Sequence, residues 1–200
     1  NAEMNKTYLQ DAEFNRYSVS ECGGYCGGAT LANAYLAHAD LTDANLINAD
    51  LTNAHLRYAD LTDSNLYDAD LTDADLNNAD LTNAYLFAAD LTNAYLYLAD
   101  LTDATLNSAD LTNANLRNTD LTRAFMAFTD FTNADFRDAD LTGTILSDAN
   151  LNNADFRDAD LTDANLRYAD LTNADFSYAT VTNAVFTSTT WSNTIWTDGN

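Results

Sequence analysis

Large apolar residues recur at every fifth position from Leu31 to Trp196, and a small residue stands two places before each one, as Ala34 does before Leu36 and Ala94 before Leu96. The register runs through 34 pentapeptides between residues 29 and 198, and the small residue is replaced only by Ser64, Thr119, Thr129, Thr144, Thr189 and Thr194. The other three positions are mostly Asp, Asn, Thr, Arg or Tyr. A period of five fits neither a helix at 3.6 residues per turn nor a strand at 2.0. Small and large residues two apart point to one side of a short extended piece. The rest of each unit must turn the chain so that the next pair faces the same interior. Each pentapeptide therefore predicts one side of a closed coil, with large residues along the axis and Ala leaving room for them. Stacked coils would pair their backbones along the axis, which gives the N–H and C=O groups partners without helices.

The units Ala39-Asp40-Leu41-Thr42-Asp43, Ala49-Asp50-Leu51-Thr52-Asn53 and Ala159-Asp160-Leu161-Thr162-Asp163 resemble the A(D/N)LXX signature of the pentapeptide-repeat proteins, over about 170 of the 200 residues. The resemblance implies an all-β fold, a right-handed quadrilateral β-helix with four pentapeptides per coil, about nine coils in all. It implies no particular activity, since fold does not settle function.

Two hundred residues predict one domain with a linear core. No apolar run reaches the length that spans a bilayer, so no membrane insertion is expected. The expected organisation is an N-terminal coil or cap over residues 1–28, then the β-helix over 29–198. In the first part Met4, Leu9, Phe14 and Val19 keep the period, which suggests one more coil; a short helical cap is the rival reading. Twelve residues separate Val19 from Leu31 where ten would keep phase, and the segment at 20–28 absorbs the shift with four of the chain's six glycines. Cys22 and Cys26 lie inside it. They either close a small disulfide loop or remain two half-buried thiols; pairing would favour a secreted or periplasmic location over the cytoplasm. Because Asn1 is not Met, a leader or longer N-terminus is expected to have been removed.

Four sides per coil place residues 20 apart in one axial column, about 4.8 Å between neighbours. One face then carries Asp50, Asp70, Asp90, Asp110, Asp130 and Asp170, interrupted by Asn150, and the opposite face carries Asp40, Asp60, Asp80, Asp100, Asp120, Asp140 and Asp160. Like charges at this spacing repel by roughly 0.9 kcal/mol per pair in water, so the ladders are expected to be a cost that recruits cations weakly or relies on donors from adjacent coils, with Thr42, Thr52 and Thr62 placed to offer hydroxyls. The remaining two faces vary. One presents Tyr35 and His55, then Arg117, Arg137 and Arg157 beside Asp135 and Asp155, which predicts exposed charge pairs. The other gathers Ile47, Tyr67 and Phe87 in one outward column, with Tyr85, Phe125, Phe128 and Ile145 nearby. Such a stripe can stabilise a ladder by cross-strand contact or serve as an interaction surface.

No catalytic group is predicted: neither His38 nor His55 has a nucleophile in register, and two Cys with two distant His do not make a metal site. No cofactor is expected. The net charge of −23 argues against attraction to nucleic acid. Between residues 29 and 198 there are 27 Asp and 6 Arg, net −21, along about 41 Å of rod. That is one charge per ~2 Å, against one per ~1.7 Å of duplex DNA. In this the chain resembles the family's quinolone-resistance members, which imitate DNA and occupy the DNA-binding saddle of gyrase. It departs from some of them in having no loop that interrupts the repeat after Leu31.

The function these features predict is a non-catalytic structural or protein-interaction solenoid with an acidic surface. Two alternatives stand beside it: a DNA mimic that binds gyrase or a related topoisomerase, and a solenoid that stacks end to end into oligomers or filaments. For the second, Trp191 and Trp196 replace Leu in the last coil, where they either seal the axis or dock onto a second molecule.

Overall fold

Backbone hydrogen bonds decide the architecture, and a single unit shows how. In the computed structural model, which describes residues 28–196, Leu51 N–H donates to Asp70 C=O at 2.7 Å, Asn53 N–H to Thr72 C=O at 2.9 Å, and Asp50 N–H to Ala29 C=O at 2.8 Å. These three bonds go to the coils above and below. Ala54 N–H closes a tight turn onto Leu51 C=O at 2.9 Å, and Thr52 N–H donates to its neighbour's side chain, Asp50 Oδ1, at 3.1 Å. All five N–H groups of the pentapeptide thus have partners, as is required where the described residues hold no helix or long strand.

The pattern repeats every 20 residues as parallel bridges, Thr30 to Asp50, Tyr35 to His55, Asp40 to Asp60, Asn45 to Asn65, and onward to Asp175 with Ile195. The result is the right-handed quadrilateral β-helix that the repeat implied. Its sides are named here by their bridging residues: face 1 begins at Thr30 and Asp50, face 2 at Tyr35 and His55, face 3 at Asp40 and Asp60, and face 4 at Asn45 and Asn65. Faces 1 and 3 oppose each other, as do faces 2 and 4. The segments holding the expected N-terminal coil or cap, with Cys22 and Cys26, lie outside the described residues.

Each corner is a four-residue turn whose third residue has φ between 54° and 69°, from Gly28 through Asn193. A positive φ there is the mark of a type II turn. Asn or Asp fills 22 of these 34 positions, because their short polar side chains tolerate the left-handed region better than other non-glycine residues.

The interior is the Ala/Leu lattice. Leu96 and Phe156 are fully buried, as are Ala94 and Ala154. Phe136, Phe156 and Phe176 share one column and stack at 4.7 and 4.6 Å between ring centroids, close to the coil spacing. Trp196 continues this column, stacked on Phe176 at 4.7 Å, and Trp191 lies beside it at 5.4 Å. Both indoles keep more than a third of their surface exposed. Thr119 and Thr129 occupy Ala positions by donating their hydroxyls to Leu96 and Leu106 C=O of the preceding coil, each at 2.8 Å. Ser64 fills the same kind of position with its hydroxyl unpaired.

Candidate functional site

Charge is distributed by face. Among residues 28–196, faces 1 and 3 with the corners that follow them hold 18 Asp and 1 Arg, while faces 2 and 4 hold 8 Asp and 5 Arg. Two opposed sides of the rod therefore carry −17 of a net −20. The Asp ladders are also hydrogen-bonding ladders. Asp60, Asp80, Asp100, Asp120 and Asp140 each accept the N–H of the Thr two residues later, at 2.9 to 3.0 Å. On face 1, Thr52, Thr132 and Thr172 add their hydroxyls to Asp50, Asp130 and Asp170. Repulsion along a column is real, but each carboxylate answers the one backbone donor of its unit that the coil leaves unpaired. The principal donor comes from the same pentapeptide rather than from the adjacent coil that the sequence pointed to.

Asn performs the same task at Asn65, Asn115 and Asn150. Asp100→Asn is accordingly expected to leave stability within about 0.5 kcal/mol of the parent, whereas Asp100→Ala, which removes the acceptor, should cost about 1 kcal/mol. Chemical denaturation of the pair checks this, and equal melts would show that the turn cap contributes nothing. At Tyr95 and Phe125, where the residue at this place is aromatic, a neighbour substitutes. Tyr97 N–H turns to Asn77 Oδ1 at 2.9 Å, and Ala127 N–H to Asn107 Oδ1 at 2.7 Å, both in the preceding coil.

The bonding shifts titration in one direction. The Thr62 hydroxyl, helped by the Thr62 N–H and by Thr42, holds the Asp60 carboxyl below 3.8. The Thr172 hydroxyl does the same to Asp170, with help from the Thr172 N–H and Asn152. At Asp155 burial raises the value, and the hydrogen bonds from Arg157 outweigh it to give a net lowering. Groups lowered in the folded state contribute stability that is fully present above the unfolded value and is lost as pH falls through the folded one. Thermal melts should thus be level above about pH 5 and decline once pH drops below 3.8. A melting temperature that rises on acidification would mean that relief of repulsion dominates.

On face 2 the arginines pair as the sequence suggested. Arg137 grips Asp135 through Nε and Nη2 at 2.7 and 2.5 Å and lies 3.5 Å from Asp155. Arg157 grips Asp155 in the same way and approaches Asp175, while Arg117 lies 3.6 Å from Asp138. Partly exposed pairs of this kind each contribute a fraction of a kcal/mol. Tyr35 stacks on His55 at 4.6 Å, and His38 on Tyr58 at 5.0 Å. A shallow concavity of about 500 Å³, open to solvent, is lined by Asn33, Asn53, His55, Asp73, Asp75, Asn77 and Tyr95. Among the described residues no group of three or more His, Cys, Asp or Glu is arranged to hold a metal ion, and no helix is long and apolar enough to cross a membrane.

Face 4 differs from the rest. From Asn45 to Ser147 its bridging and following positions are Asn45 and Ile47, Asn65 and Tyr67, Tyr85 and Phe87, Thr105 and Asn107, Phe125 and Ala127, and Ile145 and Ser147, all uncharged; Arg167 follows Asn165 in the next coil. Tyr67 and Phe87 stack at 5.8 Å, and Tyr85 joins them at 6.3 and 6.2 Å. Phe125 is well exposed, and Phe128 at the next corner is 65% exposed with φ 61°. Tyr58 and Leu98 at corners of face 2 share both features, with Tyr95 and Tyr97 exposed nearby. The sequence reading did not single out this second apolar tract. Its signal was present in bulky residues standing at the corner position that Asn and Asp otherwise fill.

The family description "Pentapeptide repeats" matches this chain in eight copies, over residues 29–66, 64–103, 99–138, 109–148, 134–173 and 154–190. Among solved structures, the chain is similar to HetL, a pentapeptide repeat protein involved in regulating heterocyst differentiation in the cyanobacterium Nostoc sp. strain PCC 7120. The two are 29% identical over 98% of this chain and 93% of HetL, with a TM-score of 0.71. It is also similar in fold to a trypsin-treated form of QnrB1, a plasmid-mediated fluoroquinolone resistance protein, at 19% identity over 84% of this chain and 82% of that one, with a TM-score of 0.59. A comparison with curated proteins gives no match.

Proposed function

Because the chain belongs to the pentapeptide-repeat family, coiled in that family's register throughout its described residues, we propose that it acts without catalysis, as a solenoid that holds a protein partner against face 4. The observation that carries this reading is the contrast between faces. A rod with −17 of its charge on two sides keeps one side uncharged in its bridging and following positions from Asn45 to Ser147 and stacks Tyr67, Tyr85 and Phe87 outward there. Aromatic residues in a charge-depleted patch are the usual make-up of an interface core. The involvement of HetL in regulating heterocyst differentiation is consistent with work done through contact rather than chemistry. A photoreactive residue at Phe87 is expected to trap a partner protein in extract of the native host, and one at Thr112 on face 1 is not. Equal capture from both sites, or none from Phe87, overturns the reading.

The two opposed Asp ladders favour a second reading, DNA mimicry. A net −20 over residues 28–196, at about 4.8 Å per coil, stays near the linear charge density of a duplex. This reading ranks below the first because faces 2 and 4, with 8 Asp and 5 Arg, carry only −3 of the charge and interrupt the negative field. We expect no inhibition of gyrase supercoiling at micromolar protein. Salt-sensitive inhibition below that, abolished by reversing charges along the Asp50 to Asp170 ladder, would reverse the order. End-to-end stacking through Trp191 and Trp196 is a third arrangement, and sedimentation of Trp196→Ala beside the parent tests it.

A further inference from the structure

The interaction reading can be carried to a class of partner. We propose that face 4 is a docking strip for a basic amphipathic α-helix of the partner protein, laid along the rod axis with its apolar side on the aromatic residues and its Lys and Arg over the carboxylates at both edges. The inference rests on the protein-binding reading of face 4 and goes beyond it by naming what binds.

Dimensions come first. The uncharged stretch runs from Ile47 to Ile145, five coil steps or about 24 Å, the length of a helix of about 16 residues. One turn of helix rises about 5.4 Å against about 4.8 Å per coil, so apolar side chains on successive turns meet successive rungs and fall out of step by only about 3 Å over the strip. Ile47, Tyr67 and Phe87 supply three consecutive rungs of one column, with Tyr85 beside them. The polar rung at Thr105 and Asn107 follows, and Phe125 resumes the apolar surface. Across the strip, a bridging residue and the one two places later are about 7 Å apart. A helix is about 10 Å wide, so its flanks overhang both corners.

Charge then selects the occupant. At one corner stand Asp43 and Asp63, with Asp103 paired to Arg123. Past the other corner, where Asp68 stands, runs the Asp50, Asp70, Asp90 and Asp110 ladder of face 1. Rows of cations flanking an apolar stripe match this cross-section. A second copy of the chain does not match it. Two copies placed face to face would set each copy's edge carboxylates against the other's, and a flat side about 41 Å long and about 10 Å wide covers roughly half the ~800 Å² per partner of a standard stable interface.

The test uses the full chain with an amidated 18-residue peptide of Leu and Lys whose Leu residues lie on one helical side, and a peptide of equal composition with that side scrambled. Calorimetry and circular dichroism should show the striped peptide gaining helix on binding, about tenfold or more tighter than the scrambled one, with affinity falling as salt rises. Tyr67→Ser with Phe87→Ser should weaken it at least tenfold while the protein's melt holds, and Tyr95→Ser with Tyr97→Ser on face 2 should change nothing. Equal binding of both peptides, or indifference to the face 4 substitutions, would show only charge attraction and overturn the proposal. So would a dimer of the protein alone that those substitutions dissolve, since the occupant would then be a second copy. If the peptide fails while a photoreactive residue at Phe87 still traps a partner, the helix is wrong and the interface stands.

Discussion

Phe156→Ala is expected to lower the stability of the chain by about 3–5 kcal/mol. The ring is fully buried and sits between Phe136 and Phe176 at 4.7 and 4.6 Å. Its removal takes away the transfer free energy of a large aromatic side chain and two stacked contacts. The cavity cannot collapse easily, because the coils above and below are held at fixed spacing by the bridges Asp135 to Asp155 and Asp155 to Asp175. In a solenoid each coil gains its stability from its neighbours, so the damage should also loosen the stack of Phe176 on Trp196. Leu96→Ala, equally buried but aliphatic, should cost about 2–5 kcal/mol. Denaturant titration measures both; a loss under about 1 kcal/mol for Phe156→Ala would mean that the interior is far looser than a filled axis requires.

The part of the fold that the sequence made legible is the part written in residue size. Ala39 before Leu41 and Ala154 before Phe156 declare an inward pair, and repetition turns the pair into a column. The number of sides came from resemblance to known repeats rather than from the period, because a five-residue unit says nothing about how sharply its corners turn. The corner conformation was written in Asn33, Asp43, Asn53 and their successors, whose polarity read as mere surface until the positive φ gave it a cause. The acceptor role of Asp100 was hidden for a related reason. Coulomb's law needs only the spacing of the column, whereas the acceptor role depends on knowing that the Thr102 N–H is the one donor its coil leaves over.

The candidate surface was half legible. Ile47, Tyr67 and Phe87 stand 20 apart and declare a column directly. Tyr95, Tyr97 and Leu98 share one pentapeptide, and Tyr58 stands 40 residues before Leu98 in the same corner column, so only the 20-residue register brings Tyr58 onto their side. Their exposure, together with the left-handed backbone of Tyr58 and Leu98, makes face 2 a second apolar tract. It differs from face 4 in the four arginines that share its side, Arg57, Arg117, Arg137 and Arg157.

The corners supply the second large effect. Asn113→Pro is expected to cost more than about 3 kcal/mol. Asn113 has φ 60°, which a proline ring held near −65° cannot reach. Its N–H donates to Thr132 C=O at 2.9 Å, and proline has no donor to replace it. The substitution also removes a side chain that donates to Asn93 Oδ1 at 3.1 Å and accepts from Asn133 at 3.0 Å in an exposed ladder along the corner. Asn113→Gly separates these causes, because glycine keeps the positive φ and the N–H and loses only the ladder. It should cost about 1 kcal/mol or less, since side-chain bonds between exposed amides exchange readily with water. Denaturant melts of the two variants give the contrast directly. If glycine proves as damaging as proline, the corner is held by the asparagine ladder rather than by its backbone, and the left-handed turn is a consequence of the stack instead of a condition for it.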